Sequence, residues 1–308
     1  MSAPAVAETP QQKRRNGFVS ALGAYLFWGI FPVYFKVVQA VPPTEVLAHR
    51  IVWALPFGAL IIGMRGQWPE VRDILRNRRV LGLLALSSGL IAVNWLVYIV
   101  AVQSDNVFQA SLGYYINPLI NVVVGVLLFS ERLHRLQIWA VILAAVGVGV
   151  LAAGSDSFPW ISLTLAATFT CYGVIRKAVA VGGMPGLFIE TSFLVPAGLL
   201  YLGWLTVAGT AVFASAGPGL NILLILAGPF TVVPLLLFAL AARRLDLSTI
   251  GMLQFIAPTL QFGVGVLYGE VLTPAHAFCF FCIWIAISLF VWDAWRRRER
   301  TSSRSKTS

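Results

Sequence analysis

The chain has 308 residues, of which 58% are hydrophobic and only 11% charged, against roughly a quarter charged in an average soluble domain. A water-soluble fold of this size needs a polar exterior, and 22 Lys and Arg with 12 Asp and Glu are too few to make one. The formal net charge of +10 is carried by short segments between apolar runs, so membrane topology rather than a nucleic-acid surface accounts for it.

Residues 1–16 form a largely polar tail with Lys13, Arg14 and Arg15 near its end. No small-residue cleavage site follows the next apolar run, which predicts a retained first span rather than a signal peptide. Ten spans are predicted, over residues 17–38, 46–64, 80–102, 107–129, 137–153, 159–178, 186–208, 219–241, 248–268 and 274–292. Each has about the 17 to 25 residues that cross a bilayer core as a helix. Pro42 and Pro43 mark one turn, Gly182, Gly183 and Pro185 another, and Pro218 favours a helix start. Ten spans put 20 of the 22 Lys and Arg residues on one side, Lys36 and Arg50 being the others. The positive-inside rule then places both termini in the cytoplasm.

Cys171, Cys279 and Cys282 lie inside apolar runs at no metal-knuckle or disulfide-framework spacing, and read as small buried hydrophobes. No Walker, HExxH or GxSxG pattern occurs, so neither an enzyme, a metal, a cofactor nor direct coupling to ATP is expected.

The stretch 106–131, NVFQASLGYYINPLINVVVGVLLFSE, resembles 251–270, GMLQFIAPTLQFGVGVLYGE. Aligning Pro118 with Pro258 pairs Asn121 with Gln261 and Gly125 with Gly265, and a one-residue slip pairs Glu131 with Glu270. Halves of five spans must insert in opposite orientation, because five is odd. The expected fold is therefore all-α and polytopic, with ten transmembrane helices in two inverted five-helix repeats, residues 17–153 and 154–295, followed by a basic cytoplasmic tail, 296–308. In alternating-access carriers of this logic the solute site lies where the repeats meet.

Within 107–129, Gln109, Gly113, Asn117, Asn121 and Gly125 recur every four residues, giving a polar and small face that looks into the bundle. Helix packing through interhelical hydrogen bonds is one reading of that face. A solute path walled by Asn117 and Asn121, with Tyr114 or Tyr115 supplying an amphipathic surface, is the other, and Gln261 is the repeat partner. Pro118 and Pro258 lack the N–H a helix interior uses, which frees the carbonyls of Tyr114 and Gln254 and predicts bends toward protein or a cavity, either for packing or for movement of the halves. Arg50 lies in the apolar run AHRIVWALP, where an unpaired guanidinium is costly. It binds an anionic part of a solute or pairs with a carboxylate, Glu45 being the local candidate. His49 reads as an interface residue or a titrating group. Lys36 snorkels or sits at an outer mouth. Glu190 caps, pairs or exchanges a proton; Glu131 and Glu270 cap helix ends or form gates.

The words FWGIFPVYFK at 27–36, EVLAHRIVW at 45–53, NWLVYIVAV at 94–102, ASLGYYINPLINVVVGVLLFSERL at 110–133 and QFIAPTLQF at 254–262 together resemble the RarD family of the EamA-type drug/metabolite transporter superfamily. The resemblance covers nearly all of the chain apart from its tails. It implies a ten-helix bacterial inner-membrane protein of two inverted units, conventionally described as a predicted chloramphenicol-sensitive permease. The expected function is secondary transport of a small organic metabolite or drug, outward, by alternating access. A small-solute channel and a membrane scaffold or solute sensor are the alternatives. Its partners are the solute and membrane lipid, with proton coupling and homo-oligomerisation left open.

Overall fold

The computed structural model describes residues 9–129, 135–154, 158–179, 181–242, 244–245, 249–250 and 253–304. Helix α1, Pro10–Gly29, starts seven residues before the predicted first span. A capping box explains the early start: Thr9 N–H donates to Gln12 Oε1 at 2.9 Å, Gln12 N–H donates to Thr9 Oγ1 at 3.3 Å, and Pro10 occupies the first turn. The first span is also broken. It stops at Ile30 and resumes as α2, Phe31–Val37, because Pro32 can neither donate to the carbonyl four residues back nor clear it.

Next come α3, Pro43–Met64, and α4, Trp68–Arg76. Helix α4 lies outside the ten predicted spans; it is short and amphipathic, with Val71 and Ile74 buried on one face at i,i+3. The chain continues through α5, Arg78–Gln103; α6, Val107–Phe129; α7, Arg135–Gly154; and α8, Trp160–Ala178. It ends with α9, Gly183–Val207; α10, Pro218–Ala242; α11, Ile256–Leu267; and α12, Pro274–Arg304. Each of the ten predicted segments contains helix. The interior bend predicted at Pro258 is instead a helix start: Gln254 and Phe255 form a turn, and Pro258 is the third residue of α11, where a missing N–H breaks no intrahelical bond.

Among the described residues seven helices are long and apolar enough to cross a membrane: Gln11–Val37, Pro43–Met64, Arg78–Gln103, Arg135–Ala153, Gly183–Val207, Pro218–Ala242 and Pro274–Asp293. Large apolar side chains point away from the protein along them, among them Leu60, Met64, Leu200 and Val207. Hydrocarbon, not water, suits such a surface, while helices satisfy their own backbone groups within it. The protein is an all-α polytopic membrane protein.

Two compact units each combine distant stretches of chain. The first comprises Met1–Phe31, Ala40–Ser88 and Val179–Ala257; the second comprises Pro32–Gln39, Gly89–Ala178 and Pro258–Ser308. In the first, α3 packs on α9 and α10, and α10 packs on α1. Ala54, Ile61, Met184 and Val232 form one core cluster; Ala21, Tyr25, Ala241, Ile250 and Ala257 form another. In the second, α7 packs on α12 and α6 on α8. Small residues set both seams. A Cβ on Gly113 would come within 2.9 Å of the Ser162 carbonyl oxygen, and one on Gly147 within 2.8 Å of Cys282 Cβ, the close helix approach that glycine permits in membranes.

Candidate functional site

The predicted polar residues divide between the two units. In the first, Arg50 is buried at 5% exposure in α3. Its Nε donates to Thr231 Oγ1 of α10 at 2.7 Å, and its guanidinium carbon lies 5.6 Å from the centre of the Phe31 ring. A planar cation is thus held by a hydroxyl and an aromatic face. Thr231 returns its own proton to the Ala227 carbonyl at 2.9 Å, so its oxygen is free to accept from Arg50.

Glu45, in the first turn of α3, turns toward backbone amides. Its Oε1 accepts from the N–H groups of Val212 at 2.9 Å and Phe213 at 3.0 Å, in the connection between α9 and α10. His49 lies one turn on; its Nδ1 accepts from Trp53 Nε1 at 3.2 Å, and its Nε2 stands 3.9 Å from Glu45 Oε1. Glu190, 1% exposed in α9, accepts from Ser87 Oγ at 2.6 Å. That is the short distance of a hydroxyl donating to a carboxyl oxygen.

In the second unit Asn94 of α5 is the hub. Its Nδ2 donates to the Leu165 carbonyl at 3.0 Å and to Thr168 Oγ1 at 2.9 Å, while its Oδ1 accepts from Tyr114 Oη at 3.1 Å. Asn117 is buried, with Oδ1 accepting from Thr170 Oγ1 at 3.3 Å. The periodic face of α6 therefore meets the hydroxyls of α8. Gln261 is 3% exposed in α11. Tyr115 Oη and Thr259 Oγ1, 2.7 Å apart, tie α6 to α11. Pro118 and Asn121 lie on the helical backbone of α6, but their side chains, like the whole of Glu131, fall outside the described residues.

At one end of this unit Lys36 and Asp105 form an ion pair, with the Lys36 ammonium also 5.7 Å from the Tyr268 ring centre. Beside it the Glu270 carboxylate accepts from Phe108 N–H at 3.0 and 3.1 Å, capping the first turn of α6. Glu270 thus caps a helix end, though that of a different helix from the one it follows. A cavity of ≈ 330 Å³ opens there, lined by Asp105, Asn106, Gln109, Glu270 and His276 among others.

Asn94, Thr170, Thr231 and Ser87 were not singled out from the sequence as site residues. Hydroxyls and one amide scattered in apolar runs give no periodic signal. Their roles emerge only when α8 and α10 are brought beside α6 and α3. Among the described residues no group of three or more His, Cys, Asp or Glu side chains is placed to hold a metal.

Residues 15–153 match the EamA-like transporter family. The chain is 42% identical over 295 residues to "Protein RarD" of Streptomyces exfoliatus, covering 96% of this chain and 94% of that protein. It is 42% identical over 292 residues to "Protein RarD" of Escherichia coli, covering 94% and 99%. It is also 30% identical over 294 residues to "Chloramphenicol-sensitive protein RarD" of Pseudomonas aeruginosa, covering 94% and 98%. A crystal structure matched over 90% of this chain and 97% of its own, with a TM-score of 0.57 at 18% identity, shares the fold. Near-complete coverage at this identity, on an all-helical chain with buried polar side chains in apolar helices, means that the protein belongs to the RarD family of EamA-like transporters, which are permeases and not enzymes.

Proposed function

We propose that the protein is a secondary carrier that moves a small organic solute outward across the bacterial inner membrane by alternating access. The observation that carries this reading is Arg50, a guanidinium 5% exposed in a 22-residue apolar helix and held by Thr231. A charge kept at such a depth needs a use, and an anionic or strongly polar part of a solute supplies one. Asn117, Tyr114 and Gln261, with Asn121, are the proposed second set of solute contacts. Glu45 and Glu190 are the proposed coupling carboxylates, Pro118 is the proposed point of bending, and the helix start at Pro258 is a proposed gating point.

Ten spans in two inverted repeats of five, both termini cytoplasmic, fit these observations. Under that repeat the second and seventh spans are counterparts, as are the fifth and tenth. Their helices pack pairwise, α3 on α9 and α7 on α12, as self-matching elements about an axis in the membrane plane do.

Counterflow in proteoliposomes tests the reading. Chloramphenicol is the first probe, on the strength of the name of the Pseudomonas relative, followed by a panel of metabolites. A carrier accelerates uptake of labelled solute when unlabelled solute is loaded on the opposite side. Conductance without that acceleration identifies a channel, and binding without flux identifies a sensor.

A further inference from the structure

The two repeated stretches of the sequence, α6 and α11, meet in the second unit, and Glu270 joins them. Helix α11 ends in a Schellman motif: Gly269 has φ +76°, its N–H donates to the Val266 carbonyl at 3.0 Å, and Glu270 N–H donates to the Gly265 carbonyl at 3.0 Å. That turn fixes the Glu270 backbone, while its carboxylate takes the Phe108 amide at the start of α6. One residue thus caps the exit of one helix and the entry of the other. Aromatic packing adds to the joint. Phe108 stacks on Phe262 with ring centres 5.0 Å apart, and a Cβ on Gly265 would lie 2.8 Å from the Phe108 ring.

The charged and titratable groups around Glu270 come from every element at this end. Lys36 stands on α2, Asp105 on the turn between α5 and α6, Tyr268 at the end of α11, and His276 on α12, where its Nδ1 is 2.7 Å from Thr273 Oγ1. Lys36 is already engaged by Asp105, itself 77% exposed, so its charge is not reserved for Glu270. The adjoining cavity gives water a route to the carboxyl. Its wall includes Gln109, whose buried Oε1 has no hydrogen-bond partner among the described residues. An acceptor of that kind is complemented by a carboxylic O–H and not by a carboxylate.

We propose that Glu270 is a proton-binding residue of the transport cycle: the clamped pairing of α6 with α11 holds its proton, and separation of their ends releases it. Burial raises the Glu270 carboxyl to about 7 from an ordinary 4.5, against the lowering effect of the Phe108 and Val107 amides and Lys36 and with a raising contribution from Asp105. Water reaching an opened joint restores the ordinary range. The clamped form therefore binds the proton on the order of a hundredfold more tightly than the open form. By linkage, protonation favours the clamp, and that preference is lost as pH rises from about 4.5 through about 7. A carrier cycle gives such a proton its use, so the inference rests on the transporter reading. The opening itself is measurable without any solute.

Spin labels at Ser104→Cys and Leu272→Cys, two exposed positions on the turns flanking the joint, report its width in lipid nanodiscs on a Cys171→Ser background. We expect one short distance below pH 6 and a growing longer one as pH passes about 7. Glu270→Gln, which mimics the protonated form, stays short from pH 5 to 9, whereas His276→Gln keeps the transition. Val107→Pro removes one amide donor at a position where proline suits a helix start, and moves the transition to higher pH. This second variant keeps the test decisive if Glu270→Gln does not fold. A wild-type distance indifferent to pH, or a transition that survives Glu270→Gln or disappears with His276→Gln, overturns the proposal. Failure of solute counterflow with the transition intact would instead strike the carrier reading.

Discussion

Ser87 Oγ lies 2.6 Å from Oε1 of Glu190, joining α5 to α9 where both side chains are sealed from solvent. Ser87 also sits 3.0 Å from the Leu84 carbonyl, so its hydroxyl links a backbone acceptor and a carboxyl. Removing that hydroxyl leaves a buried carboxyl oxygen without it, at a cost of about 1–3 kcal/mol. Ser87→Ala is therefore expected to lower thermal stability in detergent, while Glu190→Gln, whose amide oxygen still accepts from Ser87, lowers it less. If Glu190 also couples protons, Glu190→Gln removes the pH-gradient dependence of flux in proteoliposomes, and an unchanged dependence removes that role.

Arg50 offers a separate prediction because its Nε donates to a neutral hydroxyl. Thr231→Val keeps the shape but takes away the acceptor for Nε, which should cost about 1–3 kcal/mol of stability. Arg50→Ala is expected to weaken binding of an anionic solute at least about tenfold, roughly 1.4 kcal/mol. Lys36→Ala, which removes the contact with Asp105, the approach to Tyr268 and a positive charge near Glu270, should change affinity less. Isothermal titration of purified protein compares the three. Equal losses from Arg50→Ala and Lys36→Ala would count against Arg50 as a solute contact.

Asn94 fixes the position of Tyr114 from behind. Tyr114→Phe deletes one hydrogen bond of 3.1 Å and keeps the ring contacts with Tyr98 and Phe169, so a stability loss of about 1 kcal/mol is expected. Asn94→Leu removes a donor to the Leu165 carbonyl and to Thr168 as well as the acceptor for the Tyr114 hydroxyl, and the loss should be larger. Should Tyr114 line the path, Tyr114→Phe raises the KM for solute more than it lowers the maximal rate. A variant altered in stability alone would show that its hydroxyl serves packing.

The sequence disclosed long-range order well where a physical rule forces a pattern. Apolar runs of membrane length marked ten segments that each contain helix, and the four-residue spacing of Gln109, Gly113 and Asn117 found the face that meets α8. It disclosed less where structure depends on one local bond. The Thr9 capping box lengthens α1 by about two turns beyond the apolar run, Pro32 breaks the first span, and α4 hides between basic residues because nine residues make too short a period to stand out. Arg50 was legible as a buried charge, since few residues are so costly in hydrocarbon. Its partner Thr231 was not, because a threonine among leucines carries no mark until α10 lies beside α3.

That contact between α3 and α10 yields the most severe structural test. Gly228 of α10 is pressed against the α3 backbone: a Cβ there would fall 2.4 Å from both the carbonyl carbon and the oxygen of Trp53. No rotamer change relieves a clash with backbone, so Gly228→Ala must push the helices apart. Displacing α10 would carry Thr231, one turn further along, away from Arg50. Overpacking of this kind costs about 1–3 kcal/mol, and here it should also reduce solute affinity in the same direction as Thr231→Val. Gly263→Ala, with nothing within 4 Å of the added carbon, is the matched control and should raise helix propensity at no packing cost. Thermal unfolding of the two variants side by side decides the matter: if Gly228→Ala is as stable as Gly263→Ala, the close approach of α3 and α10, and with it the seat of Arg50, is not as described.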